Sequence, residues 1–439
     1  MTGARRTWLL FAGMALLLMM VGFLQSWSLA LAIINLCIIS AVMSLGVNMQ
    51  WGYAGLFNAG VMGFAALGGL ATIIVSVPPV YETWEAGGVG ILVTIAIVAA
   101  TAVAAVATWR TLRVFGVLAA VPVGLIVVIG YFVARIFFSP AVDAIESIEP
   151  AKTGYLGGLG LPILLSWIVG GALAAGAAWI VGKVALGLRS DYLAIATLGI
   201  SEIIVAVLKN EDWLTRGVKN VNGLPRPTPY EIDLQNAPWF IDLSERLGVS
   251  VIEFSSIFVK LYYAGLFLAV LLVLLFLSER ALHSPWGRMM RAIRDNETAA
   301  NAMGKNVTGR HLEIFILGSV VIGIAGAMLT TLDGQFTPTS YQPLRFTFLI
   351  WVMVIVGGSG NNFGSILGGF FVWFAWIESE PVGRWLLDVL TAWLADDNPL
   401  RLHLLAGAAY MRPMAMGLVL LLMLRFSPRG LIPEQSTRS

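Results

Sequence analysis

A chain of 439 residues that is 58% hydrophobic and only 12% charged, with a mean hydropathy of +0.84, is excluded from the soluble globular class, where about a quarter of residues are charged. Its 27 basic and 25 acidic residues leave a net charge of +2, too balanced for a nucleic-acid binder, so where the charges stand matters more than their sum. The single cysteine, Cys37, lies inside an apolar run; it forms no internal disulfide and reads as a small buried hydrophobe.

Arg5 and Arg6 precede an apolar run from Trp8 to Leu24. A second run starts almost at once, so the first reads as an uncleaved helix whose arginine pair holds the N-terminus in the cytoplasm. Runs that reach, or nearly reach, the length needed to cross a roughly 30 Å core follow at 29–47, 55–77, 88–107, 114–137, 161–182, 192–208, 257–277 and 313–332. Shorter ones stand at 346–356, 364–377 and 413–424. Backbone in lipid must satisfy its own hydrogen bonds, and runs of this length do so as helices. The expected fold class is therefore all-α: one polytopic transmembrane helical bundle over residues 1–439, with about 10–12 spans and both termini cytoplasmic.

Threading the chain back and forth from a cytoplasmic N-terminus places Arg110, Arg113, Lys183, Arg189, Arg425 and Arg429 inside, and Glu82 and Glu85 outside. The two largest loops decide the sidedness. Residues 278–312 carry six bases and three acids, whereas 209–256 carry five bases and seven acids. By the positive-inside rule the first is cytoplasmic and the second periplasmic.

The stretches "GYAGLFNAGVMG" (52–63) and "GGSGNNFGSILG" (357–368) share glycines at relative positions 1, 4 and 12. Transporters are often built from repeated units, but in a chain with 47 glycines the match is expected to be chance. Segment 78–160 carries extra spans and an acidic stretch, "SPAVDAIESIEP" (139–150). Asn35, Asn48 and Asn58 either line a polar path or tie helices together. Glu202 lies inside the run 192–208, close to Thr197 and Ser201. An intramembrane carboxylate serves transport, pairs with a neighbouring helix, or is neutralised by burial. Asn58, Thr197 and Glu202 are the candidates for a translocation path.

Between two oily runs stands "SPWGRMMRAIRDNETAANAMG" (284–304). Arg288, Arg291 and Arg294 recur every three residues, and Met289, Ile293, Ala300 and Met303 share a stripe, which predicts a short amphipathic helix stopped by Gly304. Such an element rests on anionic headgroups or docks a cytosolic partner; its spacing fits both. Runs 346–356 and 364–377 either cross or form a re-entrant hairpin. Residues 383–397 read as a separate outer interfacial helix, with Trp385, Leu386, Val389, Leu390 and Trp393 at helical spacing, and Arg412 as a side chain snorkelling to the outer interface. A phosphate loop and an H-E-x-x-H metal pair are missing, and His283, His311 and His403 are scattered. Neither catalytic nor metal-ligating residues are expected, and no cofactor.

Taken together, "GYAGLFNAGVMGFAALGG" (52–69), "SDYLAIATLGISEIIVAVLKNEDWLTRGVKNVNGLP" (190–225), the basic stretch continued through "KNVT" (305–308), "GIAGAML" (323–329), "VIVGGSGNNFGSILGG" (354–369) and "SPRGLIP" (427–433) resemble one family. It is that of the integral membrane permeases of ABC importers for branched-chain amino acids, the LivM-like branch, which also contains urea and amide permeases. The resemblance implies that the cytoplasmic loop is an ATPase-coupling element, with Arg288 and Arg291 on its basic face. Ala299, Ala300 and Gly304 stand where the family has two alanines, three residues and a glycine, and Ile314 where it has an isoleucine. Thr298 replaces the usual acid, Glu297 stands one place earlier, and no proline follows Ile314.

The resemblance further implies a non-enzymatic subunit of the bacterial inner membrane. Its partners would be a second related permease chain, two cytosolic ATPase subunits, a periplasmic solute-binding protein and the surrounding lipid. The solute would be a branched-chain or other small amino acid, with urea or a short amide as the alternative. A self-sufficient carrier using Glu202 as its ion site is the reading from another class.

Overall fold

The computed structural model describes residues 3–149 and 152–434. Each of the twelve apolar runs contributes most of its length to a helix. In chain order the main helices are α1 (Gly3–Leu24), α2 (Trp27–Asn48), α3 (Val61–Ser76), α4 (Val89–Leu112), α5 (Ala120–Glu146), α6 (Ile163–Ala185), α7 (Ser190–Asn210), α8 (Val251–His283), α9 (Pro285–Asp295), α10 (Glu297–Ala302), α11 (Val307–Asp333), α12 (Pro343–Gly357), α13 (Asn362–Leu390) and α14 (Met411–Phe426), with shorter helical pieces such as Pro238–Leu247 and Pro399–Ala406 in the connections. Among the described residues, nine helices are long and apolar enough to cross a membrane. The chain is an all-α, multi-pass membrane protein.

Helices α3 and α12 are short because each begins only after other chain, the non-helical residues 55–60 before one and a single 3-10 turn, Pro338–Ser340, with its flanks before the other. Helix α13 fails the apolar criterion for another reason: its second half carries Glu378, Glu380, Arg384 and Asp388.

Two groups of loops collect at opposite ends of the bundle. Arg294 reaches Gly52 and Glu434, and Gly360 reaches Asn48, so the α2–α3, α8–α11 and α12–α13 connections share one end with the C-terminal segment. Trp8 near the N-terminus borders Phe363 of the same end in a shared cleft. At the opposite end Val221–Asn222 (β1) pairs antiparallel with Gln335–Phe336 (β2), and Leu156 bonds to the backbone of Trp213. This is the alternation that the charge pattern predicts. It also decides against a re-entrant hairpin, because α12 leaves the β1–β2 end and meets α13 at the other.

The core is formed by α2, α3, α6, α11, α12 and α13 around buried Phe315, Met353, Ile322 and Val42. Lipid-like surroundings offer no hydrophobic drive between helices, so close backbone approach must hold them. At Gly68 a side chain would start 1.9 Å from the Gly323 carbonyl oxygen, and at Gly326 2.0 Å from that of Ala65. These glycines let α3 and α11 meet backbone to backbone. Helix α1 packs on α2 and α13 through Met14, Leu18 and Val21, and Cys37 is buried there with its thiol on the Phe370 carbonyl. That is the role of a small hydrophobe with a weak donor.

The extra segment is a helical hairpin. Helices α4 and α5 pack on each other and join the bundle only near the β1–β2 end, through Ile91, Ala141, Ile145 and Leu156. The rest of the hairpin is exposed, as Val103, Leu125 and Ile136 illustrate. Pro150, the last residue of the acidic stretch, lies outside the described residues.

Two expectations are corrected near the C-terminus. Residues 383–390 do not form a separate interfacial helix. They continue α13 through Pro381, and the apolar stripe with Trp385 and Leu390 points outward from it. Arg412 does not extend alone to an interface; it pairs with Glu380 at 2.6 Å, which meets the cost of an arginine near lipid with an opposite charge on a neighbouring helix.

Candidate functional site

The basic stretch folds as an elbow of two helices, not one. Ser284 caps α9, with Pro285 at the first helical position, where a missing N–H costs nothing. The chain extends at Asn296, whose side chain accepts from the Ala299 N–H at 2.9 Å and so starts α10. Gly304, at φ +75°, then ends the turn. A single helix would have kept the apolar stripe continuous. The cap at Asn296 re-aims the second half instead, so Met290 and Ile293 are buried against the bundle while Met303 is 79% exposed.

The predicted coupling residues divide accordingly. Arg288 and Arg291 turn back on the last turn of α8, donating to the carbonyls of His283 and Leu282 at 3.3 and 3.4 Å, where a helix C-terminus attracts positive charge. They anchor the elbow. Ala299 and Gly304 are exposed, Ala300 is half-buried, and together with Met303 they form its protruding tip. Trp286 adds a bond to Glu313 of α11 at 3.1 Å, so the elbow is gripped by the helices before and after it.

The third arginine of the triplet does more than spacing suggests. Arg294 donates to the Gly52 carbonyl, where the last turns of α2 loosen into a π-helix over Met49–Tyr53, and pairs with Glu434 at 3.0 Å. Glu434 ends a strap that runs along the α12–α13 junction. Leu431 and Ile432 donate to the carbonyls of Val356 and Gly357, and Pro433 accepts from Asn361. One guanidinium thus ties the elbow to the broken end of α2 and to the C-terminal strap.

Beneath it lies a buried polar cluster. Asn48 donates to Asn362 at 3.1 Å and accepts from the Gly360 N–H at 2.8 Å. Tyr53 also donates to Asn362, which in turn donates to Glu279 of α8 at 2.8 Å. The two glycine-rich stretches that share a spacing are therefore in contact. At Gly52 a side chain would strike the Gly360 backbone at 2.5 Å, and Gly360 itself has φ +84°. Gly52 and Gly360 are required by this close approach.

Of the path candidates, the structure brings two together and sets the third apart. Asn58 is fully buried, donating to Gln50 at 2.9 Å and accepting from the Gly60 N–H at 2.8 Å just ahead of α3. Thr197 accepts from the Ala59 N–H at 3.0 Å. Both stitch the non-helical segment 54–60 to its neighbours, which is the tying role open to the asparagines. Asn35, donating to the Lys260 carbonyl at 3.0 Å, has the same role. Glu202 faces away from these groups, on the exposed side of α7 with Ile195 and Ile203. Among the described residues, no three His, Cys, Asp or Glu side chains gather to hold a metal.

Sequence reasoning did not single out Arg294, Asn362, Tyr53 and Glu434, which the structure ties together at this end of the bundle. Arg294 and Asn362 stood inside stretches already marked, as one of three similar arginines and as one of a turn-forming pair. Glu434 lies one residue beyond "SPRGLIP", with nothing in its spacing to single it out.

Comparison with known proteins gives a consistent picture. The family described as "branched-chain amino acid transport system / permease component" matches residues 115–424. The high-affinity branched-chain amino acid transport system permease protein LivM of Salmonella typhimurium is 28% identical over 313 residues, covering 71% of this chain and 66% of LivM. LivM of Escherichia coli K12 matches with the same identity and coverage. The chain thus spans slightly less than two thirds of these relatives. The xylose transport system permease protein XylH of Haemophilus influenzae is 30% identical over 178 residues, 38% of this chain and 45% of XylH. No solved structure matches.

Proposed function

Because the chain belongs to the family of branched-chain amino acid transport permeases, we propose that it is the transmembrane permease subunit of an ATP-driven ABC importer in a bacterial inner membrane. It forms half of a translocation path for branched-chain or other small amino acids, and two cytosolic ATPase subunits hydrolyse the ATP. A periplasmic binding protein delivers the solute to the end that carries residues 209–256.

The observation that carries this reading is the elbow. Its tip exposes Ala299, Met303 and Gly304, with Ala300 half-buried beneath them, while its base is fastened to α8, α11 and α2. A tip of small and apolar residues suits a cleft on another protein, and a fastened base suits the transmission of force.

Glu202 supports a second permease chain. It sits mid-helix on an outward face with no ion pair among the described residues, and a carboxylate facing lipid is costly. Covering it with a polar group of a second subunit removes that cost, so the outward face of α7 is assigned to the permease–permease contact. An ion-coupled carrier would need Glu202 on an internal path, and it faces away from one.

Vesicles containing this chain with its ATPase subunits, second permease and binding protein should accumulate leucine only when ATP is supplied to the cytoplasmic face. The same assembly carrying Glu202→Cys should cross-link to the second permease chain. Uptake by this chain alone on an ion gradient would overturn the importer reading, and cross-linking only to lipid probes would overturn the assigned contact.

A further inference from the structure

Arg135 is the only charged residue between Arg113 and Asp143, and Glu202 the only one between Asp191 and Lys209. Both are exposed in the middle of apolar helices, Arg135 on α5 among the exposed Tyr131, Phe132 and Ile136. Neither makes a hydrogen bond or an ion pair among the described residues. A charge inside a bilayer is costly, and such residues ordinarily face a polar path or pair with one another. These two face outward, so pairing is what remains to them.

They stand at matching depth. Glu146 accepts from the Trp213 N–H at 3.2 Å and Phe138 meets the Trp213 ring at 5.9 Å, so α5 and α7 finish side by side at the β1–β2 end. Counted back from that contact, Arg135 stands eleven residues before Glu146 and Glu202 eleven before Trp213. At 1.5 Å per helical residue this is roughly 12–16 Å inward, near the middle of a core about 30 Å thick. Neither side chain spans that distance to reach water.

Within one chain the two charges are left unpaired although the ends of their helices touch. A second copy offers what is missing. A two-fold axis along the membrane normal changes position in the plane but not depth, so residues that pair across it stand at one level, and an isologous contact makes each pair twice. Gly199 and Ala206, three residues before and four after Glu202, put little bulk beside the carboxylate, and a side chain at Gly199 would meet nothing within 4 Å. That leaves a guanidinium room to reach it. Apolar surface gains nothing by exchanging lipid for another apolar surface, so the charges, and not the aliphatic face of the hairpin, select the partner.

We propose that the second permease chain is a second copy of this one, with the α4–α5 hairpin of each copy laid against α7 of the other, so that Arg135 and Glu202 pair reciprocally. This rests on the importer reading and on the contact assigned to α7 above, and adds to them the identity of the partner and a role for segment 78–160.

The test uses membranes holding the complete assembly, with two differently tagged versions of the full chain in a Cys37→Ala background. One carries Arg135→Cys and the other Glu202→Cys. A short, membrane-permeant bifunctional thiol reagent is expected to join the two tags, and to fail when the first cysteine is placed instead at Leu125, on the same helix but at another depth. Arg135→Glu or Glu202→Arg alone sets like charges against each other, and is expected to lower both co-purification of the tags and leucine uptake at least about tenfold. The two exchanges made together restore both, a rescue that a merely structural role would not produce. Tags that are never joined while ATP-driven uptake persists overturn the pairing and leave the importer reading standing. A cross-link formed only when both cysteines share one chain also overturns it, since the hairpin then closes on its own α7. Joined tags in an assembly whose uptake needs no ATP support the pair and overturn the importer reading.

Discussion

Replacing Ala299 and Ala300 together with aspartate is expected to leave the chain inserted in the membrane and to abolish solute-stimulated ATP hydrolysis by the assembled complex. The tip of the elbow is where the effect concentrates. Both alanines lie on α10, beyond the Asn296 cap, with Ala299 exposed and Ala300 half-buried on the edge of the core. A carboxylate pressed into a closed apolar interface loses its hydration without gaining a partner, a penalty of several kcal/mol. Two such groups weaken docking by about a hundredfold or more, since each 1.4 kcal/mol is a factor of ten. Binding of the ATPase subunits to vesicles and the rate of ATP hydrolysis with and without solute measure the two halves of the prediction. Stimulated hydrolysis at the unaltered rate would remove the elbow from the coupling mechanism. Charge reversal of Arg288 and Arg291 tests something else, because both are occupied by the carbonyls of α8.

How far this site was legible in the sequence follows from what hydropathy and spacing encode. Run length exposes spans, because a bilayer imposes a length, and each of the twelve runs gives most of its length to a helix. The elbow was legible as polar chain between oily runs, and Gly304 as its stop. The bend at Asn296 was not, because an asparagine inside an amphipathic stretch does not announce that it will cap a new helix. Nor does hydropathy reveal which side of a span faces a neighbour. Glu202 and Asn58 are both polar residues in apolar runs, yet one is fully buried with three polar partners and the other faces outward. The glycine echo was visible as a spacing, but the close approach of Gly52 to Gly360 was not.

Arg294→Ala is expected to separate ATP hydrolysis from transport. The side chain is about a quarter exposed and serves acceptors on two other parts of the molecule, the Gly52 carbonyl at the loosened end of α2 and the Glu434 carboxylate on the C-terminal strap. Removing it leaves both acceptors short of a donor in a half-buried setting, at a cost of about 1–3 kcal/mol. That is too little to unfold a bundle held by α3, α6 and α11. It is enough to loosen the elbow from α2, where a π-helical turn leads directly into the non-helical chain before α3. Such turns are frequent at functional sites, and this one stands where the elbow could shift the inner helices. With the tip intact, the ATPase subunits still dock and hydrolyse ATP. With the tie cut, less of that work reaches α2 and α3, so the amount of solute carried per ATP is expected to fall by at least about tenfold. Lysine at the same position should not restore it, because a single ammonium lacks the forked donors that reach both acceptors. The number of solute molecules accumulated per phosphate released, measured in the same vesicles, decides the matter. A ratio equal to that of the unaltered assembly would show that force enters the bundle elsewhere, through the grips on α8 and α11.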